Sequence, residues 1–374
     1  MGGTMTSILL LGSFFLAHQT QPEPALWDNQ VDKAVAYLRK SQSADGSWSS
    51  KLSPGITGLV VTGLLRTGKV PADDPMVEKG LRYIETLINP KAGHIAGPDP
   101  KVQLQNYVTS VNVMALVEAN RETYRPVIRD AARFLRQLQW DEAEGKDPKN
   151  DYYGGAGYDS KSRPDLSNTQ IFLDALVAAG VSPKDPAFQK ALVFVSRCQN
   201  LAGETNDQPW AGKINDGSFI YSPAAMGSTK TQDQATANGG LPGYASMTYA
   251  GIKSMVYCGL DPKDPRMQEA LKYISKNYDL NRHPGMPAER ASWGLYYYYQ
   301  TLSKCLDTLK LDEIKDSSGK SHPWRVELVA ELAKRQKDDG SYTNAQDRWM
   351  ESNPDLVTAY ALIALAHAKG VKKP

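Results

Sequence analysis

Cysteine and histidine are scarce in this sequence. Its 374 residues include three cysteines and five histidines. Cys198, Cys258 and Cys305 lack the CxxC spacing of zinc fingers and thioredoxin-like sites, and three cysteines cannot form a disulfide framework. Each lies in an apolar, helix-like segment, so we expect buried free thiols. The histidines are scattered without paired spacing, so the sequence predicts no metal site and no cofactor.

A surplus of charge and a long apolar run are also missing. Lys and Arg number 43 and Asp and Glu 41, a net charge of +2, whereas nucleic-acid-binding proteins usually carry a basic surplus on one face. No run of 18 apolar residues exists beyond the extreme N-terminus, so we expect no integral membrane span after removal of a leader. A hydrophobic content of 41% allows a large core and excludes general disorder.

The N-terminus carries one short apolar block, Ile8–Ala17. Ten residues match the core of a signal peptide and are too few to cross a bilayer comfortably. We predict a signal peptide over residues 1–20, a single domain over residues 21–374, and a periplasmic or extracellular location. The alternative is a buried N-terminal helix, because no Lys or Arg precedes the block and Phe15 is bulky for a cleavage site.

A helix ending in Gln, followed by a Gly turn and an aromatic residue, recurs along the chain. It spans Ala34–Trp48 and Glu331–Tyr342 and is degenerate in Ala132–Tyr158 and Ala191–Phe219. These first helices carry charge on one face, whereas the second helix of each pair is apolar nearly all round and must be buried. The predicted second helices are Thr57–Leu65, Tyr107–Glu118, Asp165–Ala179, Tyr244–Tyr257, Trp293–Leu309 and Asp355–Ala368.

Three linkers share one design, Gly68–Pro75, Gly180–Pro186 and Gly259–Pro265. The Gly is typical of a left-handed helix end. The Asp-Pro pair predicts an N-cap and first turn of the next helix. Six outer and six inner helices follow, with inserts at residues 141–162, 201–243 and 312–322. Because this spacing is uneven, a closed ring is favoured over an open solenoid, and we predict an all-α (α/α)6 toroid.

The repeat resembles a known family. Tyr37-Leu38, Gln42 and Asp45-Gly46-Ser47-Trp48 look like the QW repeat of squalene–hopene cyclases. The wider pattern, over about residues 30 to 368, is similar to the terpenoid cyclase/protein prenyltransferase superfamily. The Gln amide can satisfy backbone groups at a neighbouring helix end, and the Trp ring can pack over the turn. We therefore give these residues a structural role.

The family's catalytic motifs are not matched. Class II cyclases of this family use a DxDD motif as their acid. In the corresponding stretch of this sequence Asp165 fits the first position, but Ser167 stands where the proton donor should be and Asn168 replaces the last Asp. Prenyltransferases of this fold bind Zn²⁺ through an Asp and a Cys that open one inner helix, and the comparable stretch 243–247 has neither. The resemblance thus predicts the fold without either chemistry.

By resemblance, the inner-helix N-termini face one mouth of a central cavity. Aromatic side chains there would suit an apolar or cationic guest or a sugar ring. The alternative to ligand binding is a structural role, in which the Tyr residues fill a wide core and the Asp residues are helix N-caps. The candidate ligand-binding residues are Asp165, Asn168, Tyr244, Met247, Trp293, Tyr296, Tyr297 and Asp355.

Three functions remain open. The first is an exported relative that binds an apolar, isoprenoid-like ligand or a protein partner. The second is an active terpenoid cyclase or transferase with an unrecognised acid, and the third an exported carbohydrate-active (α/α)6 enzyme. A closed apolar cavity favours the first two. Two carboxyl groups inside it, or exposed Trp210 and Trp293, favour the third.

Overall fold

The structure is a computed structural model that describes residues 20–98 and 104–370, so residues 1–19 of the predicted signal peptide lie outside it. Within these ranges the chain forms twelve α-helices and one short antiparallel hairpin, β1 (Ile314–Lys315) with β2 (Ser321–His322), in the third predicted insert. The helices are α1 (Pro24–Ser41), α2 (Gly55–Arg66), α3 (Pro75–Thr86), α4 (Gln105–Ala119), α5 (Arg125–Arg136), α6 (Leu166–Ala178), α7 (Pro186–Arg197), α8 (Ala245–Tyr257), α9 (Pro265–Lys276), α10 (Leu295–Thr308), α11 (Trp324–Arg335) and α12 (Pro354–Ala368).

The even-numbered helices form a closed inner ring. Each packs against the next one along the ring, and α12 returns to pack against α2. The odd-numbered helices form the outer layer. Hydrogen bonds join the two ends of the chain, since Gln336 Nε2 donates to the Gln30 carbonyl at 2.9 Å and Trp27 Nε1 to the Leu365 carbonyl at 2.8 Å. The predicted all-α (α/α)6 toroid is confirmed.

The linkers fold as their sequence predicts. Glycines after α2, α6 and α8 adopt left-handed φ values of 70°, 73° and 78°. Aspartates before α3, α7 and α9 cap the next helix, with side-chain oxygens 2.8 to 3.0 Å from the backbone nitrogen two residues on. These capping aspartates are Asp74, Asp185 and Asp264.

The repeated Gln connects consecutive outer helices. Gln42 Nε2 donates to the carbonyls of Gly46 and Met76, both at 2.9 Å. Because Met76 lies in the first turn of α3, this amide joins the end of α1 to the start of α3. The same pair of bonds is made by Gln139, Gln199 and Gln336. The structural role predicted for this residue follows from these contacts.

The glycine of each repeat allows the turn to touch a helix. Gly46 has a φ of +89°, and a Cβ placed there would lie 2.3 Å from the carbonyl oxygen of Lys79 in α3. Gly154, Gly217 and Gly340 meet an outer-helix carbonyl in the same way. Only glycine combines this backbone conformation with so close an approach.

The three cysteines are buried and unpaired, as the sequence predicts. No helix of the described ranges is both long enough and apolar enough to cross a bilayer.

Candidate functional site

A cavity of about 150 Å³ opens at the N-terminal end of the inner ring. An engineered protein cavity of about this size holds benzene, so the space suits an aromatic ring or a group of five or six carbons. Its walls are mainly aromatic. Six tyrosines line it, Tyr107, Tyr158, Tyr221, Tyr244, Tyr297 and Tyr360, together with Ser53, Leu104, Ser167, Ile171, Ser246, Met247, His283, Gly294, Trp349, Met350 and Glu351.

Loops roof this cavity. Tyr158 and Tyr221 come from the first and second long inserts, and Trp349 and Met350 from the loop before α12. Trp349 and Met350 adopt left-handed φ values of 60° and 65°, a conformation uncommon for residues other than glycine. The ring of Trp349 packs edge-to-face on Trp293, with centroids 6.2 Å apart. We call residues 348–351 the strap.

The tyrosine walls are neutral and sparingly polar. The hydroxyls of Tyr107 and Tyr360 lie 3.4 Å apart, and the hydroxyl of Tyr297 accepts a bond of 3.2 Å from Gln170 Nε2. Burial raises the pKa of Tyr107 to about 12. The cavity therefore offers ring faces and a few hydroxyl groups at neutral pH.

The strap also places one acidic residue, Glu351, among the residues around the cavity. This side chain is fully buried. It accepts hydrogen bonds from Asn344 Nδ2 at 2.7 Å, from the backbone nitrogen of Tyr297 at 2.8 Å and from that of Tyr296 at 3.4 Å. Burial raises the pKa of Glu351 to about 7, against the opposite effect of these donors. Such a group can both give and take a proton near neutral pH.

Asp165 and Asn168 lie behind the cavity wall and do not line it. Asp165 Oδ1 accepts from the Asn168 backbone nitrogen at 2.9 Å and from Ser167 Oγ at 2.6 Å, and Asp165 Oδ2 accepts from Asn168 Nδ2 at 2.8 Å. Asp165 is thus the N-cap of α6. Burial raises its pKa in spite of these donors.

Of the other six candidates, Tyr244, Met247 and Tyr297 line the cavity. Tyr296 points between layers, with its ring centroid 6.0 Å from that of Tyr342. Trp293 packs against the outside of the strap.

Asp355, the last candidate, faces α1 instead of the cavity. It accepts hydrogen bonds from the Tyr37 hydroxyl at 3.0 Å, from Ser41 Oγ at 2.8 Å and from Ser49 Oγ at 2.6 Å. Its carboxylate therefore joins α1 and the turn after it to the start of α12. The N-cap of that helix is Asn353, whose side chain accepts from the Leu356 backbone nitrogen at 2.9 Å.

Sequence reasoning missed several lining residues. Tyr360 lies on a helix predicted as inner, but five positions after Asp355 its side chain is turned by about 140° from that candidate, so helical periodicity from Asp355 does not select it. Tyr158 and Tyr221 belong to inserts whose path no local pattern predicts. Glu351 lies in a polar loop, and nothing in the sequence marks it as buried.

A cluster of buried charges occupies the other end of the inner ring, beside a cavity of about 20 Å³. Asp174 Oδ2 lies 2.6 Å from Lys253 Nζ and 2.8 Å from Lys304 Nζ. Burial alone would raise the pKa of Asp174, but the two ammonium groups hold it at about 2. Burial lowers the pKa of Lys304 to about 7, more than Asp174 raises it.

Comparison with known proteins identifies the fold. No protein-family model and no curated protein matches the sequence. Among solved structures, the type II terpene cyclase MstE from Scytonema superposes with a TM-score of 0.51 at 12% identity, over 93% of this chain and 99% of that one. A wild-type glycosidase superposes with a TM-score of 0.52 at 14% identity, over 94% and 98%. At these identities the likeness shows the toroid and not a shared activity.

Proposed function

We propose that this chain binds a small apolar, isoprenoid-like molecule in its aromatic cavity. The observation that carries the proposal is the set of six tyrosine rings around about 150 Å³ at one end of the closed inner ring. Pockets of this kind, mostly apolar with a few placed polar groups, are typical of small-molecule sites. A protein partner that inserts one apolar side chain is the other occupant that the cavity would fit.

We propose further that binding occurs without class II cyclase protonation. The residue at the proton-donor position is Ser167, and its hydroxyl donates to Asp165. The Asp165 carboxylate is engaged in capping α6. Neither residue presents a carboxylic acid to the cavity.

We propose, in addition, that binding does not involve zinc-dependent transfer. The start of α8 offers Ser246 and Met247 where the family has its ligands. The nearby His283 uses both ring nitrogens, with Nε2 3.1 Å from the Ser246 backbone nitrogen and Nδ1 2.7 Å from the Trp293 carbonyl. No cluster of three His, Cys, Asp or Glu side chains suited to a metal ion occurs within the described part of the chain.

Titration calorimetry with 3-methyl-2-buten-1-ol and benzyl alcohol tests the binding proposal. Met247→Trp would fill the cavity, and we expect it to weaken binding at least about tenfold. Val177→Trp is the matched control, because it adds the same ring at a site that is 40% exposed. Unchanged binding to Met247→Trp, or no binding of either alcohol to the native chain, would contradict the proposal.

Export to the periplasm or the extracellular space is part of the proposal and is supported by the apolar block at residues 8–17. Mass spectrometry of the mature N-terminus from fractionated cells tests it. A mature chain that retains residue 1 in the cytoplasmic fraction would contradict it.

A second candidate function is acid–base catalysis on the bound molecule, and the position and raised pKa of Glu351 favour it. If Glu351 exchanges protons with a bound alkene, deuterium from D2O should enter the alkene, and Glu351→Gln should stop this while binding continues. Equal deuterium incorporation with the native chain and the variant would rule the role out.

Glycoside hydrolysis is the function that the geometry supports least. The usual mechanism uses two carboxyl groups that flank the bond, and none of the described lining residues besides Glu351 carries one. Trp210 is buried, with 3% of its surface exposed, and so cannot form an open sugar platform.

A further inference from the structure

An open groove of about 620 Å³ lies beside the outer helix α5, at the C-terminal ends of α4 and α6. The aromatic cavity lies at the N-terminal ends of the inner helices, so the two sites are separate. The floor of the groove is apolar and partly exposed, and it includes Val117, Ile128 and Val181.

Arginines surround this floor. Two of them are neutralised within the chain, since Arg121 pairs with Glu78, and Arg136 Nη1 lies 2.6 Å from Asp185 Oδ2. The four arginines that line the groove are Arg121, Arg125, Arg129 and Arg136.

The other two arginines are available to a partner. Arg125 pairs with Glu122, but the two side chains are 73% and 76% exposed, and an exposed pair of this kind contributes little. Arg129 is exposed and forms no ion pair with any residue of the ranges 20–98 and 104–370. Arg125 and Arg129 are one helical turn apart, so their side chains extend from the same face of α5.

The first helix pair shows what occupies the equivalent place. Asp28 and Asp32 of α1 precede the repeated Gln at the same distances as the two free arginines of α5 do. The linker after α2 supplies Lys69, whose Nζ lies 2.8 Å from Asp28 Oδ1 and 2.7 Å from Asp32 Oδ1. There the chain provides its own counter-charge to the outer helix.

The α5 groove has the opposite sign and no such linker side chain. Both aspartates are replaced by arginines, Arg125 and Arg129, and the linker position of Lys69 is taken by Val181. Valine is short and uncharged, so it cannot neutralise either arginine. The counter-charge that fits this place is a pair of carboxylates.

We propose that this groove binds an acidic segment of a partner protein. Two carboxylates of the segment pair with Arg125 and Arg129 through charge-assisted hydrogen bonds, and one apolar side chain packs on the floor beside Val181. Arginine clusters commonly recognise acidic segments in this way. A nucleic-acid backbone would leave the apolar floor unused, and the net charge of +2 offers it little long-range attraction.

Fluorescence anisotropy with two labelled peptides tests the proposal. Each peptide carries two Glu and one Leu, which a helical peptide places one turn apart and an extended peptide on alternate residues. We expect at least one of them to bind at least about tenfold more tightly than its version with Gln for Glu. Replacing its Leu by Ser should weaken binding at least about threefold, and added salt should weaken it too.

Variants locate the binding surface. Arg129→Glu should weaken the better peptide at least about tenfold. Arg133→Glu is the matched control, because Arg133 lies on the same helix, is 60% exposed and does not line the groove. Val181→Lys combined with Arg125→Asp and Arg129→Asp recreates the arrangement of the first helix pair and should abolish binding while the chain stays folded.

Three results would overturn this inference. They are failure of both peptides to bind, equal binding of the Glu and Gln versions, and equal effects of Arg129→Glu and Arg133→Glu. Binding of labelled single-stranded RNA without binding of either acidic peptide would also overturn it, since the partner would then be a nucleic acid. None of these results bears on the aromatic cavity, and Arg129→Glu should leave the binding of benzyl alcohol there unchanged.

Discussion

The carboxylate oxygen Oε1 of Glu351 lies 2.8 Å from the backbone nitrogen of Tyr297, in the first turn of α10. This contact fixes the strap to the inner ring. It also places an ionisable group at a helix N-terminus, where negative charge is stabilised, within an aromatic cavity that disfavours charge. The balance between these two effects makes the protonation of Glu351 the most sensitive electrostatic feature of the site.

The free energy of unfolding should therefore contain a pH-dependent contribution from Glu351. Its pKa rises from 4.5 to about 7 on folding, so the folded chain holds an extra proton between these values. The contribution is fully present below pH 4.5 and is lost as the pH rises through 7, a change on the order of 3 kcal/mol. Urea denaturation of the native chain and of Glu351→Gln between pH 4.5 and 8 measures it.

The stability difference between native chain and Glu351→Gln should vary over this window and level off above pH 8. Glu122→Gln is the control, because that side chain is 76% exposed and its removal should leave the pH profile unchanged. A difference independent of pH would show that folding does not raise the pKa of Glu351.

Gly46→Ala should destabilise the fold far more than Gly180→Ala. Both glycines have positive φ values, but a Cβ at position 46 would meet the Lys79 carbonyl oxygen at 2.3 Å, whereas nothing lies within 4 Å of one at position 180. The shared conformational cost is on the order of 1 kcal/mol, and the clash should add about 1–3 kcal/mol at position 46. Thermal and urea denaturation of the two variants measure their losses of stability. Equal losses would contradict the close contact between the turn and the Lys79 carbonyl at position 46.

Asp165→Ala should lower stability by about 1 kcal/mol through loss of the α6 N-cap. Asp165→Asn should cost less, because its side-chain oxygen can still accept from the Asn168 backbone nitrogen. The Asn168 amide can also turn to present its unpartnered oxygen. Urea denaturation of both variants measures their losses of stability. Equal losses would contradict the capping role of Asp165.

Lys253→Met should be more destabilising than Lys304→Met. Lys253 is fully buried and donates to both Gln170 and Asp174, and breaking such a pair costs on the order of 3 kcal/mol. The lowered pKa of Lys304 shows that folding opposes its charge, so its replacement should change stability by less than about 1 kcal/mol. The reverse order in urea denaturation would mean that Lys304 is the principal partner of Asp174.

Local sequence patterns predicted the layers but not the cavity. The Gly-Asp-Pro linkers and the alternation of amphipathic with apolar helices depend on contacts a few residues apart, and they appear in the structure where they were expected. Tyr297 and Tyr296 are neighbours on α10, yet only Tyr297 reaches the cavity. Their division follows from the rotation of α10 against α8 and α12, which the sequence of α10 alone does not contain.

The sequence by itself determined which segments are helices, which of these are buried and where each begins and ends, since caps, turns and hydrophobic faces are local properties. Tertiary structure decided what the ring encloses. The inserts and the strap meet above the inner helices through contacts between segments far apart in the sequence, and this long-range packing buries Glu351 and assembles the tyrosine walls.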